Sequence, residues 1–274
     1  MRKKLLLAMG VILIGGYLAA GAFLRAIYVV PILMYHSIDT KSDATNRLLV
    51  VSPASFRRQM EFLKRHAYRV IPLDELAGLM RAGKPIPPKA VCVTFDDGYE
   101  NNYSQAYPVL KELGFPATIF VVTGSIGHPG YVSEPQIREM ASRGVVIGSH
   151  TRTHYWLGGG DLKRARDEIA GSADDVRRVS GREKSFFCYP VGTFTPAVRQ
   201  LVIDTGYLGA VATNPGAAYP NNDLFALKRL RISHQCDNLL VFWFETTGIY
   251  TWIKERTHRR HHRAPTAVVT GATT

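Results

Sequence analysis

Short apolar runs rich in β-branched residues recur along the body of this chain, separated by amphipathic stretches at helical spacing. That alternation is the pattern of parallel strands joined by crossover helices. Strands are expected at 31–35, 90–95, 117–122, 145–149, 185–189, 208–213 and 227–233. Helices are expected where cap-like residues precede periodic apolar positions: Ser52-Pro53 before Phe56, Met60 and Leu63; Asp161 before Ala165, Ile169 and Val176, closed by Gly181; and Asp237 before the last helix. About seven strands with intervening helices suggest a closed or nearly closed (β/α) barrel, and an open doubly wound sheet fits the same pattern. Either architecture gathers reactive groups at the carboxyl ends of its strands. With 274 residues, 46% of them hydrophobic, and no internal repeat, the chain can bury one large core.

Those strand ends carry residues that chemistry can use. His36 follows the first, Asp96-Asp97-Gly98 the second, His150 the fourth with His154 four residues on, and Pro190-Val191-Gly192 the fifth. Two histidines separated by three residues, joined by a carboxylate from another strand, form a metal-binding set with coordination positions open to water and substrate. The spacing alone also arises incidentally or in a core. Paired carboxylates beside a buried apolar run are costly unless something neutralises them, although a surface turn at Asp97-Gly98 is the plain alternative.

Thr94-Phe95-Asp96-Asp97-Gly98 and His150-Thr151-Arg152-Thr153-His154 together resemble the polysaccharide deacetylases, the fourth carbohydrate esterase family. The likeness continues through Phe187-Cys188-Tyr189-Pro190-Val191-Gly192 and Gly206-Tyr207-Leu208-Gly209-Ala210-Val211, covering about 31 to 247. The opening Pro31-Ile32-Leu33-Met34-Tyr35-His36 is similar to the subgroup acting on poly-β-1,6-N-acetylglucosamine. The resemblance implies a distorted (β/α) barrel. It makes Asp97, His150 and His154 ligands of a divalent ion, zinc first, with cobalt, nickel or iron compatible. It makes Asp96 the general base and His36 the general acid, and puts the main-chain N–H of Val191, with Tyr189 and Pro190 beside it, at the developing oxyanion and substrate. Many relatives carry tyrosine at the position of Val191 and arginine at that of Cys188; Arg231 is the candidate to hold Asp96 in the latter's place. Tyr131, Tyr155, Trp156 and Trp243 could stack on a sugar or fill the core, and His128 lies in a loop that could line the groove. His66 reads as helical surface.

The function implied is metal-dependent removal of N-acetyl groups from an N-acetylglucosamine polysaccharide outside the cytoplasm. A lipid-linked sugar is the alternative substrate. An inert glycan-binding protein of the same fold is the other reading; it has no need of a metal set with a matched acid and base, all five residues of which are present.

The ends of the chain differ from its body. Arg2-Lys3-Lys4 precede an uncharged apolar run from Leu5 to Leu24, long enough to span a bilayer, so 1–27 is expected to be a signal-anchor and everything after it extracytoplasmic. The small residues at Ala19-Ala20-Gly21-Ala22 leave cleavage open. The catalytic domain is expected at 28–250, followed by a basic tail at 251–274. Of the formal +12, seven charges fall at the two ends, which leaves about five for the body and removes the support for a nucleic-acid partner. The tail, with His258, His261 and His262 among its cations, reads as solvated and disordered, or as touching anionic lipid or an acidic glycan. Three cysteines, with no CxxC pair, give neither a disulfide framework nor a thiolate zinc site.

Overall fold

A computed structural model describes residues 15–17, 29–41, 47–213, 223–248 and 250. The expected anchor and basic tail lie outside these residues, apart from 15–17, which are helical. Among the described residues no helix is long and apolar enough to cross a membrane.

In chain order the strands and helices are β1 (Ile32–Tyr35), β2 (Ser37–Ile38), β3 (Val50–Val51), α1 (Pro53–Arg65), β4 (Arg69–Val70), α2 (Leu73–Arg81), β5 (Ala90–Phe95), α3 (Tyr107–Leu113), β6 (Thr118–Val121), α4 (Glu134–Ser142), β7 (Val146–Ser149), α5 (Leu162–Ser180), β8 (Phe186–Cys188), α6 (Pro196–Asp204), β9 (Gly209–Ala212), β10 (Leu227–Lys228), β11 (Leu230–Arg231) and α7 (Leu239–Thr246). Eight parallel strands run β10-β9-β8-β7-β6-β5-β1-β11, and β4 adds to the amino end of β5. The two outer members of that order, β10 and β11, are consecutive dipeptides flanking Arg229. One short segment thus pairs first with β9 and then with β1, which nearly closes the sheet into a parallel barrel. The seven expected strands all form, the last split in two at Arg229. The short β2, β3 and β4 carry too few residues to show a period.

Side-chain alternation sorts the strands into two faces. Ile32, Cys92, Phe120, Val146, Phe186, Cys188, Val211 and Leu227 pack together inside the barrel. Leu33, Tyr35, Val93, Phe95, Ile119 and Ile147 face outward, onto Phe56, Met60 and Leu63 of α1 and Ile137 and Met140 of α4. The caps follow from local chemistry: Ser52 accepts from the Ser55 N–H with Pro53 behind it, and Asp161 accepts from the Arg164 N–H. Gly181 ends α5 in the left-handed conformation (φ 73°). At the last helix Asn238, not Asp237, is the cap; Asp237 belongs to a short 3-10 turn ahead of it.

Candidate active site

The inward parity of the strands continues into the residues just past their carboxyl ends. On β5 it runs Cys92, Thr94, Asp96; on β1 Ile32, Met34, His36; on β7 Val146, Gly148, His150. His36, Asp96 and His150 therefore converge at one mouth, with Cys188 of β8 on the same face.

Asp97 and His154 depart from this alternation. Asp97 has φ 70° and His154 φ 58°, left-handed values that cost a non-glycine residue of order 1–3 kcal/mol each. With Thr151 (φ 64°) and Val191 (φ 59°), they make four of the six such residues among those described, all around the mouth. The turn brings Asp97 Oδ1 to 3.5 Å from His150 Nε2 and 3.7 Å from His154 Nε2. One donor atom from each of the three lies within 4.8 Å of the others. Gly98 is required here, because at φ 74° an added Cβ would stand 2.9 Å from Val121 Cγ1. His150 Nδ1 donates to the Cys188 carbonyl (2.8 Å), which turns its Nε2 lone pair toward Asp97. The donor set and this tautomer fit a divalent ion at Asp97, His150 and His154.

Asp96 lies in a different environment. Arg229 grips it at both oxygens (2.6 and 2.7 Å), and the same guanidinium donates to Thr94 Oγ1, the Ala212 carbonyl and Cys188 Sγ. All five guanidinium N–H groups are thereby used. Burial by itself would raise the Asp96 pKa, but the charge and hydrogen bonds of Arg229, helped by His150 and His36, hold it well below the usual carboxylate range. The arginine that holds Asp96 is thus Arg229, not Arg231. Arg229 sits where the segment changes neighbours and sends its side chain into the barrel, whereas Arg231, on β11, is exposed. Cys188 fits beside this pair as a small thiol, 3.6 Å from Asp96 Oδ2.

His36 Nε2 stands 3.9 Å from Asp96 Oδ2, beyond hydrogen-bond range. Its Nδ1 is buried with no partner among the described residues, and burial lowers its pKa to about 4 against the opposing charge of Asp96. Asn102 Nδ2 donates to the His36 carbonyl (2.6 Å), and Asn101 bonds Ser37 Oγ and the Ile38 N–H. Both asparagines follow Asp97-Gly98 and lie at the start of a one-turn π-helix, Asn102–Ala106, that ties β5 to the end of β1.

Val191 is exposed and lies on the 3-10 turn Pro190–Gly192 just after β8. Tyr189 is turned away from the mouth. Its ring stacks on Phe194 (4.0 Å) and its hydroxyl donates to the Phe225 carbonyl, so alternation on β8 removes its side chain from the substrate face expected of it. Trp156 is exposed and donates to Thr193 Oγ1, and Tyr131 stacks on Tyr99, whose hydroxyl bonds Asp97. Trp243 lies on α7, in the outer helical layer. His66 caps the end of α1 and packs on Phe62.

Residues 83–210 match the polysaccharide deacetylase family model. A Bacillus subtilis protein named for that family, YxkH, is 37% identical over 74% of this chain and 71% of its own length. The chain belongs to the polysaccharide deacetylase family. A solved Streptococcus pyogenes deacetylase, PplD in complex with acetate, is 30% identical, with a TM-score of 0.71 over 78% of this chain and 97% of its own. The poly-β-1,6-N-acetyl-D-glucosamine N-deacetylase of Staphylococcus aureus is 25% identical over 70% of this chain and 71% of its length. The chain is a deacetylase of this class, its barrel agrees with the fold of the solved Streptococcus deacetylase, and Arg229, Asn101, Asn102 and Tyr99 are residues of the candidate site that the strand-end pattern passes over.

Proposed function

We propose that this enzyme removes acetyl groups from N-acetylglucosamine residues of a polysaccharide outside the cytoplasmic membrane, held there by its N-terminal apolar run. The observation that carries the chemistry is the division of labour between adjacent carboxylates: Asp96 is kept ionised by Arg229, while Asp97 faces two imidazole Nε2 atoms. Asp97, His150 and His154 would hold a divalent ion, zinc by preference. When bound, such an ion polarises the acetyl carbonyl and acidifies water at its open positions. Asp96 accepts the proton of the water whose oxygen bonds to the acetyl carbon. His36, neutral at rest, stands 3.9 Å from Asp96, so the proton passes to it through one intervening water, and His36 delivers it to the sugar nitrogen as the C–N bond breaks, releasing acetate and a free amine. The main-chain N–H of Val191, on the turn just after β8, is the proposed donor to the developing oxyanion. A β-1,6-linked polymer is the favoured substrate because the Staphylococcus relative is named for it.

Acetate release by the full-length chain in detergent, from β-1,6 and β-1,4 N-acetylglucosamine oligomers with and without chelator, tests this. Release that is abolished by chelator, restored by zinc and faster on the β-1,6 oligomer is expected. No release from either oligomer with zinc bound would refute the polymer reading and turn attention to a lipid-linked sugar; equal release after chelation would refute the metal.

A further inference from the structure

Helix α7 has an apolar surface on the side that the barrel does not cover. Its sequence, Leu239-Leu240-Val241-Phe242-Trp243-Phe244-Glu245-Thr246, has one charged residue. Phe242 and Thr246 are buried, Phe242 edge-on to Phe62 of α1 and Thr246 bonded to the Tyr68 hydroxyl. At roughly 100° per residue, Trp243, Leu240, Phe244 and Val241 fall on one continuous arc beside that contact. These four are 48%, 74%, 43% and 38% exposed. Glu245 falls outside the arc and is engaged by Cys236 Sγ at 3.1 Å. A helix apolar on both faces is ordinarily enclosed on both, and large neighbouring apolar side chains mark a contact surface.

Charge identifies the occupant. Lys89 stands 5.8 Å from the centre of the Tyr68 ring, at the Thr246 end of the helix. Soon after the helix the sequence supplies Lys254, Arg256, Arg259, Arg260 and Arg263 against one acid, Glu255. Exposed aromatic and aliphatic side chains followed by clustered cations match an interfacial helix on an anionic bilayer. A second copy of this chain would bring the same positive charge to the contact and be repelled. We propose that α7 lies in the interfacial layer of an anionic membrane, its Leu240, Val241, Trp243 and Phe244 among the acyl chains. The inference rests on the membrane-anchored reading for the presence of the bilayer, and adds a second attachment that fixes how the barrel sits on it.

The test uses the full-length chain reconstituted into vesicles containing phosphatidylglycerol, with bromine on the acyl chains. The Trp243 signal is taken as the difference between the parent and Trp243→Phe, since Trp156 and Trp252 are common to both. Acetate release from a soluble oligomer checks that the variant is folded. The expected result is quenching of the Trp243 signal by about twofold or more, weakened in phosphatidylcholine vesicles and when Arg256, Arg259, Arg260 and Arg263 are replaced by glutamine. A chain that floats with the vesicles while its Trp243 signal is unquenched overturns the proposal and leaves the anchor standing; another copy or another part of this chain then covers α7. A chain that does not float overturns both.

Discussion

Asp96 and Arg229 form a pair whose separation has two distinct consequences. Arg229→Met leaves a buried carboxylate without its cation, which costs on the order of 3–5 kcal/mol in folding stability. It also raises the Asp96 pKa, so the acid limb of the kcat/KM profile moves to higher pH; a variant that is destabilised with an unmoved acid limb would make Arg229 a structural residue only. The linkage has a definite sign. Because the folded pKa of Asp96 is depressed, its contribution is present above the unfolded value and is lost as pH falls through the folded one. His36 acts in a different window. Burial holds its pKa at about 4 rather than 6.5, so between those values the unfolded chain binds a proton that the folded chain does not, and stability falls on acidification. The full effect is on the order of 3 kcal/mol. In chelator-treated protein, urea titrations across this range should show a shallower pH dependence for His36→Gln than for the parent; parallel curves would show that His36 is not buried neutral. Asp96, Asp97, His36, His150 and His154 were legible because each follows a recognisable strand. Arg229 was not, since alternation makes 229 and 231 equally eligible to face inward, and only the change of pairing partner between β10 and β11 separates them.

At the scale of elements, α5 acts as the template for the loop that carries both histidines. Glu168 is buried and accepts the Arg152 and Thr153 N–H groups on Oε2 (both 2.9 Å) and the Thr153 hydroxyl on Oε1. Further along the helix, Ser172 takes a hydrogen bond from Ser149, and Asp175 binds Arg152 and Thr123. Arg152 lies across Gly171 so closely that a Cβ there would overlap its guanidinium. These bonds offset the left-handed backbone at Thr151 and His154 and hold the loop in the shape that aims both imidazoles at Asp97. Glu168→Gln turns an amide N–H toward donors, so zinc affinity measured by calorimetry should fall about 10–100-fold. Unchanged affinity with lowered thermal stability would mean that Glu168 supports the fold and not the ligands. The sequence disclosed α5 through Asp161, its apolar period and Gly181, but nothing in that pattern sets Glu168 and Asp175 apart from the other charges of the helix. What gives them a role is the loop folding back over them, a contact between positions 15 to 23 residues apart that periodicity does not encode.

The whole barrel is closed by the segment 227–231, and the same segment delivers Arg229 to the interior, so closure and active-site electrostatics share one structural element. The strand pattern could not decide between a barrel and an open sheet, because that choice depends on whether one short run pairs on both sides. The ligands are distributed differently: Asp97 follows β5, while His150 and His154 follow β7, with β6 between them in the sheet. A bound ion would therefore join elements that are not neighbours in the sheet, and binding to the folded chain alone raises its stability by mass action. At a free zinc concentration 100 times Kd the gain is about 2.7 kcal/mol. For a domain of this size that corresponds to a rise in Tm of several degrees, on the order of 2–4 °C per kcal/mol. Calorimetric scans of chelated and zinc-loaded chain should show this rise, and His150→Ala should abolish it. Asp96→Asn should retain most of it, because Asp96 engages Arg229 and not the proposed ligand set. Equal loss in both variants would overturn the division of the two aspartates into base and ligand, on which the proposed mechanism depends.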